Sequence, residues 1–165
     1  GQLTAMRQAI TDNQHDMFDL VAEYMNEHLA ETVQVFHSPN SSPLVDYQRL
    51  PRNSVRVRID AYRNTGSTDI TKAIMFLDRT HFRKWYADKG QNPREFVSAL
   101  QAEGADATPS SQKGTLGKNT PLAIPQTYVI GIDLTHPRMA GVLDDVVEAS
   151  KQVDLNNVVD LRGRQ

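Results

Sequence analysis

Residues 73–105 read AIMFLDRTHFRKWYADKGQNPREFVSALQAEGA, and residues 127–134 read TYVIGIDL, with a Gly/Ser/Thr/Lys-rich segment between them. Ile70–Leu77 is expected to be a strand, the hairpin partner of 54–61. Asp78 or Thr80 can cap a helix, because a short side-chain oxygen satisfies the first exposed backbone N–H groups. Phe82, Trp85 and Tyr86 then recur at i, i+3 and i+4, which places them on one helical face. Lys89-Gly90 supplies a C-terminal cation followed by a glycine stop. Asn92-Pro93 restarts a helix at once, with Asn as cap and Pro in the first turn. Phe96, Val97 and Leu100 form its apolar face, and Gly104 ends it. Asp106–Asn119 has no apolar period and reads as a mobile loop. Gln126–Leu134 returns to strand. Strand, helix, turn, helix, loop, strand is the order of a winged helix-turn-helix, so the expected class is α+β with a small antiparallel sheet.

Upstream, residues 1–12 read as a helical or frayed lead-in. Met17, Phe18, Val21, Tyr24, Met25 and Leu29 fall at helical spacing, with Asp19, Glu23, Glu27 and Glu31 between them. That is an amphipathic helix with an acidic outer face. Thr32–Phe36 is β-branched and alternating, hence a short strand. His37–Pro43 is a surface loop. Leu44–Leu50 fits no single element, and Pro51 ends it. In Ser54–Ala61, Val55, Val57 and Ile59 point one way and Arg56, Arg58 and Asp60 the other. Arg63–Ser67 is a turn, making a hairpin of 54–61 with 70–77. Val142–Val153 is the last helix, and the tail 154–165 orders only by docking, with Arg162–Gln165 frayed. The expected organisation is one domain over 1–165, with a winged-helix core at 16–135 and a C-terminal helix and tail at 136–165.

With no cysteine among 165 residues, a disulfide framework, a zinc finger and a thiol nucleophile are excluded. No apolar run approaches the ~20 residues of a membrane span and no signal peptide is visible, so the expected location is cytoplasmic. Gly1 at the start fits a fragment of a longer protein. Net charge is -2, yet residues 1–50 carry two basic and seven acidic side chains, residues 51–131 twelve and seven, and residues 132–165 four and six. A basic middle between acidic ends fits a local electrostatic footprint for a polyanion.

No motif carries catalysis. Gly114-Thr115-Leu116-Gly117-Lys118-Asn119-Thr120 superficially suggests a phosphate-binding loop, but its glycines enclose two residues instead of four, and Asn119 separates Lys118 from Thr120. The five histidines show no metal-ligand spacing. No Ser occupies a Gly-x-Ser-x-Gly turn. Asp144-Asp145 are adjacent on a helix and splay apart. The expectation is a non-enzyme without cofactor or metal. In a helix-turn-helix the second helix presents its N-terminal side chains to bases, which here are Gln91, Asn92, Arg94 and Ser98. Arg83, Lys84 and Lys89 of the first helix, and Lys113 and Lys118 of the loop, are placed for phosphates. Arg56 and Arg58 form a cationic strand ridge or pair with the acidic helix at 16–31. Glu95 and Glu103 on the second helix oppose phosphate. The expected partner is therefore DNA, duplex or single-stranded, bound in a salt-dependent way. The competing reading is a protein-interaction or oligomerisation module recruiting a partner through the acidic helix 16–31.

At FLDRTHFRKWYADKGQNPREFVSALQAEGA and GTLGKNTPLAIPQTYVIGIDL, the chain resembles the C-terminal winged-helix module of phage- and mobile-element-encoded helicase or primase-helicase ATPases. The shared features are a strand ending in Asp-Arg, an aromatic-rich helix, a Pro-Arg-Glu-Phe restart, a Gly stop and a Gly/Lys loop before the last strand. The resemblance spans roughly residues 16–135, by pattern more than by identity. It implies an accessory DNA-binding or oligomerisation role in replication of a mobile element, with the ATPase motifs absent from this chain.

Overall fold

Val57, Ile59 and Ala61 are fully buried on one face of a strand, while Arg58 and Asp60 occupy the other. This two-residue alternation sorts the whole sheet into a helix-covered face and an opposite face closed by loops. The computed structural model describes residues 16–108 and 112–163, with side chains to residue 155. The expected lead-in over 1–12, and the last two residues of the expected frayed end, lie outside these. In chain order the elements are α1 (Met17–Glu27), β1 (Thr32–His37), β2 (Leu44–Val45), β3 (Val57–Arg63), β4 (Ile70–Asp78), α2 (Arg79–Asp88), α3 (Pro93–Ala102), β5 (Gln112–Gly114), β6 (Thr127–Asp133) and α4 (Ala140–Gly163). Short 3₁₀ turns at Leu29–Glu31, Tyr47–Arg49 and Pro137–Met139 connect them.

The sheet has six strands in the order β2-β1-β3-β4-β6-β5. The class is α+β, but the expected small antiparallel sheet is replaced by a larger mixed one. β1 runs parallel to β3, pairing Thr32 with Val57 through His37 with Tyr62. A parallel neighbour needs a crossover connection. Residues 46–56 provide it, and Leu50 and Val55 on it pack with Val33, Val35, Leu116 and Val129 on the loop-covered face. The hairpin of β3 with β4 is present, with a register shift at Tyr62/Arg63. Alternation puts Arg63 on the helix side with Val57, Ile59 and Ala61, where its Nε donates to Ser150 Oγ at 2.9 Å and its guanidinium meets Asp154 on α4.

The helix boundaries follow their caps. Asp16, Asp78 and Asn92 accept from backbone N–H groups at the starts of α1, α2 and α3. Gly90 and Gly104 follow α2 and α3 with φ of +80° and +71°, a conformation glycine adopts without a Cβ clash. α4 extends well beyond the expected 142–153. The segment 106–119, expected to be a mobile loop, is structured where described. Asp133 N donates to Ala105 O at 2.8 Å and Ala107 N to Gly131 O at 2.9 Å, while β5 pairs with the other half of β6. The outer edge of β6 is thus covered by two short pieces, leaving little of it open for pairing with another chain.

α1 and α2 are joined through rings. Tyr24 is fully buried and contacts His28, His81, Phe82 and Trp85, with centroids 4.2 to 5.9 Å away. Its hydroxyl hydrogen-bonds His81 Nδ1 at 2.8 Å. Burial, then the nearby Arg56 and His28, lower the pKa of His81 from 6.5. A folded-state pKa below the unfolded one means that the unfolded chain takes up the proton first, so stability is lost as pH falls. The loss begins near 6.5 and is complete once pH passes the depressed folded value. Urea denaturation at stepped pH should show this decline, and His81→Gln should remove that component of it. An unchanged pH profile in His81→Gln would exclude His81 as its source.

Candidate functional site

Two surfaces gather chemistry, one on each face of the β5–β6 hairpin. The first is a cleft of about 310 Å³ on the loop-covered face. Its base is Arg58 on β3, which is 6 % exposed. All five of its N–H donors are taken. Nε and Nη2 bind the two Asp60 oxygens at 2.8 and 2.9 Å. Nη1 donates to Leu116 O at 3.3 Å and to Lys118 O. Nη2 also donates to Asn119 Oδ1 at 2.9 Å. The sequence places Asn119 where φ is +71°, a left-handed position that Asn tolerates better than most residues. Leu116, buried with Val129 and Val33, holds the loop from its apolar side. Gly117 sits so close to Ile124 and the Leu122 carbonyl that a Cβ there would lie 2.9 to 3.0 Å from them.

Arg58 is therefore a structural tie, and the expectation that it contacts nucleic acid is corrected. Its neighbour Arg56 is tied within the fold as well: its Nη1 donates to Asp78 at 3.0 Å and its Nε lies 3.4 Å from Glu31. The Glu31 contact agrees with the pairing reading for that strand. The Gly114–Thr120 segment is two successive tight turns, closed by Lys118 N to Thr115 O and Thr120 N to Gly117 O.

On the same face, His37 Nε2 lies 2.7 Å from Asp60 Oδ1, and the His37 ring stacks on Tyr62 at 4.7 Å and 16°. Parallel pairing of β1 with β3 creates this contact, because Val35 aligns with Asp60 and His37 with Tyr62. A bond spanning 23 residues leaves no local sign in the sequence.

The second surface lies on the other face of the hairpin. Tyr128 on β6 is 40 % exposed. The Arg79 guanidinium carbon lies 4.4 Å from its ring centroid and Lys113 Nζ 5.2 Å. Lys113 is the cross-strand partner of Tyr128 on β5. Arg83, one helical turn after Arg79, has its pKa lowered by burial and then by the Arg79 charge. Lys84 is exposed beside it. Arg79 and Tyr128 were not among the expected contact residues. Their signal was the i, i+4 spacing of Arg79 and Arg83 together with an outward-facing aromatic at the start of the last strand.

The other expected residues are dispersed. Lys89 is joined to Glu23 at 2.9 Å and lies over Trp85. The Asn92 side chain caps α3 by accepting from Arg94 N. Arg94 and Ser98 are exposed and Gln91 is half-buried; Glu95 is exposed beside Arg94, and Glu103, at the far end of α3, lies 3.9 Å from His136. Lys118 is exposed at the rim of the cleft and away from Tyr128 in the hairpin register. The acidic helix is largely answered within the fold: Asp16 and Asp19 face Arg138, Glu23 faces Lys89, and Glu27 accepts from Trp85 Nε1. No helix among the described residues is long and apolar enough to cross a membrane. No protein-family model, curated protein or solved structure matches the chain.

Replacing Arg58 by Leu should cost roughly 3–5 kcal/mol, since it strips a buried carboxylate of its main partner and releases the loop. The double change Arg58→Leu with Asp60→Leu should recover most of that stability, because an apolar pair avoids the desolvation cost. Chemical denaturation reads both, and limited proteolysis at Lys118 reports the loop. A double variant as unstable as the single one would show that the loop contacts, and not the Asp60 charge, dominate.

Proposed function

We propose that this chain is a non-catalytic nucleic-acid-binding module of a larger replication protein, and that it contacts single-stranded DNA through the Tyr128 surface. The observation that carries this reading is an exposed tyrosine ring flanked by Arg79 at 4.4 Å and Lys113 at 5.2 Å. An exposed aromatic ring among cations is the arrangement that lets a base stack while its phosphates are neutralised. Burial, and then the Arg79 charge, lower the pKa of Arg83, and an anion placed beside the two guanidinium groups would favour its charged form.

The winged-helix reading is supported by connectivity. β4, α2, α3, β5 and β6 follow in that order, and their strands lie β4-β6-β5 in the sheet. In that reading the β5–β6 hairpin is the wing and α3 the second helix of the helix-turn-helix. Here the wing side offers the better contact surface, because the exposed start of α3 sets Glu95 next to Arg94. A role in replication of a phage or mobile element rests on the resemblance described above. The alternative, a partner recruited by the acidic helix α1, draws less support, since Asp16, Asp19, Glu23 and Glu27 already face internal partners.

Fluorescence anisotropy with a labelled oligonucleotide tests the proposal. Tyr128→Ala should weaken binding by about 1–3 kcal/mol through lost stacking. Lys113→Ala and Arg83→Ala should each weaken it and flatten the log K against log salt slope by about 0.7 for a single strand. Arg94→Ala should leave affinity within twofold. No detectable binding at low salt would end the nucleic-acid reading. A dominant effect of Arg94→Ala would move the contact to α3.

A further inference from the structure

The cleft between β3 and the 115–119 loop contains a histidine whose hydrogen bonding is half complete. Asp60 has only acceptor oxygens, so the 2.7 Å contact requires the proton on His37 Nε2. In the neutral ring this leaves Nδ1 with a lone pair, and Nδ1 has no hydrogen-bond partner among the described residues. Stacking on Tyr62 at 4.7 Å fixes the ring plane, and Lys72 Nζ lies 5.6 Å from the centroid of Tyr62. Arg58 takes no further acceptor, because its five donors are committed. Its effect on the cleft is indirect: it holds the Lys118 carbonyl and thereby keeps that residue at the rim. The Lys118 ammonium is exposed and in no ion pair among the described residues. Phe76, Leu116 and Val129 supply an apolar lining between His37 and Lys118.

An oriented acceptor, an apolar wall and a cation at the rim define a ligand class. We propose that this cleft binds a small planar anion, a ring with an N–H or O–H donor on one edge and a phosphate or carboxylate group. The donor goes to His37 Nδ1, the ring lies against Phe76, Leu116 and Val129, and the anion meets Lys118. A volume of about 310 Å³ falls at the lower end of small-molecule sites and suits a nucleoside monophosphate or an aromatic carboxylate. This site is independent of the Tyr128 surface. Alternation along the hairpin puts Gln112, Gly114 and Val129 on the cleft side and Lys113 and Tyr128 on the other. Either can fail without the other.

Isothermal titration calorimetry with the four ribonucleoside 5′-monophosphates, their nucleosides and 4-hydroxybenzoate distinguishes the sources. At least one anion should bind saturably, and the His37 Nδ1 resonance should shift in ¹⁵N spectra on its addition. His37→Phe keeps a ring against Tyr62 and removes the acceptor, and it should weaken binding about tenfold. Lys118→Ala, an exposed change that leaves the fold intact, should weaken the anion while leaving any nucleoside affinity unchanged. Binding of a monophosphate or of the carboxylate alone names the source and supports the site. Failure of every probe at millimolar concentration overturns the proposal. Binding that survives both substitutions undiminished overturns it as well.

Discussion

A single guanidinium organises the loop-covered half of this protein. Arg58 stands in the middle of the sheet, almost without solvent, with each N–H group directed at an oxygen. Burying a charge is costly unless it is paired and fully hydrogen-bonded, and here both conditions hold. The consequence is geometric. Asp60 balances the charge within the strand, and the remaining donors reach across to the Leu116 and Lys118 carbonyls and the Asn119 side chain. A segment with a polar, glycine-containing sequence is thereby laid onto the sheet. The sheet has two covered faces because of that tie and because Leu116 contributes to a small second core.

The helix face is built differently. Its core is apolar and aromatic, running from Phe18 and Tyr24 through Phe82, Tyr86 and Phe96 to Ile130 and Ile132. The ion pairs that join α1 to its neighbours sit at the rim of this core, where exposed pairs contribute little on their own. They matter more for what they remove from the surface. Glu23, Glu27 and Lys89 face one another's elements, so the negative potential of α1 and the positive potential of α2 partly cancel where they meet. Away from that junction, Arg79 at the start of α2 and Lys113 on β5 flank the Tyr128 ring.

Local grammar in the sequence is sufficient for most of the helical half. Asp78 and Asn92 cap their helices, Gly90 and Gly104 end them in left-handed conformations, and Phe82, Tyr86, Phe96 and Leu100 are buried as their spacing requires. The hairpin of β3 and β4 was legible from alternation and its turn. What escaped is long-range. Parallel pairing of β1 with β3 leaves no local mark, and β2 is too short to carry a pattern. Arg58 reads from sequence as part of a cationic ridge or a partner for the acidic helix, because its loop partners lie 58 to 61 residues away. A span of 23 residues likewise hides the pairing of His37 with Asp60, and the loop 106–119 lacks periodicity because its order comes from a few tethers, not from a repeating face. The place of Lys113 in the loop before the last strand points to phosphate contact, but the ring beside it comes from cross-strand register.

The proposed single-strand contact surface lies on one side of the β5–β6 hairpin and the ligand-sized cleft on the other. The most direct test of the central claim is an amide chemical-shift map of the isotopically labelled protein titrated with single-stranded DNA at low salt. The account predicts perturbations at residues 79–84, 113–114 and 127–128, with the exposed side of α3 unmoved. Perturbations centred on residues 91–98, or none anywhere at saturating oligonucleotide, would contradict it.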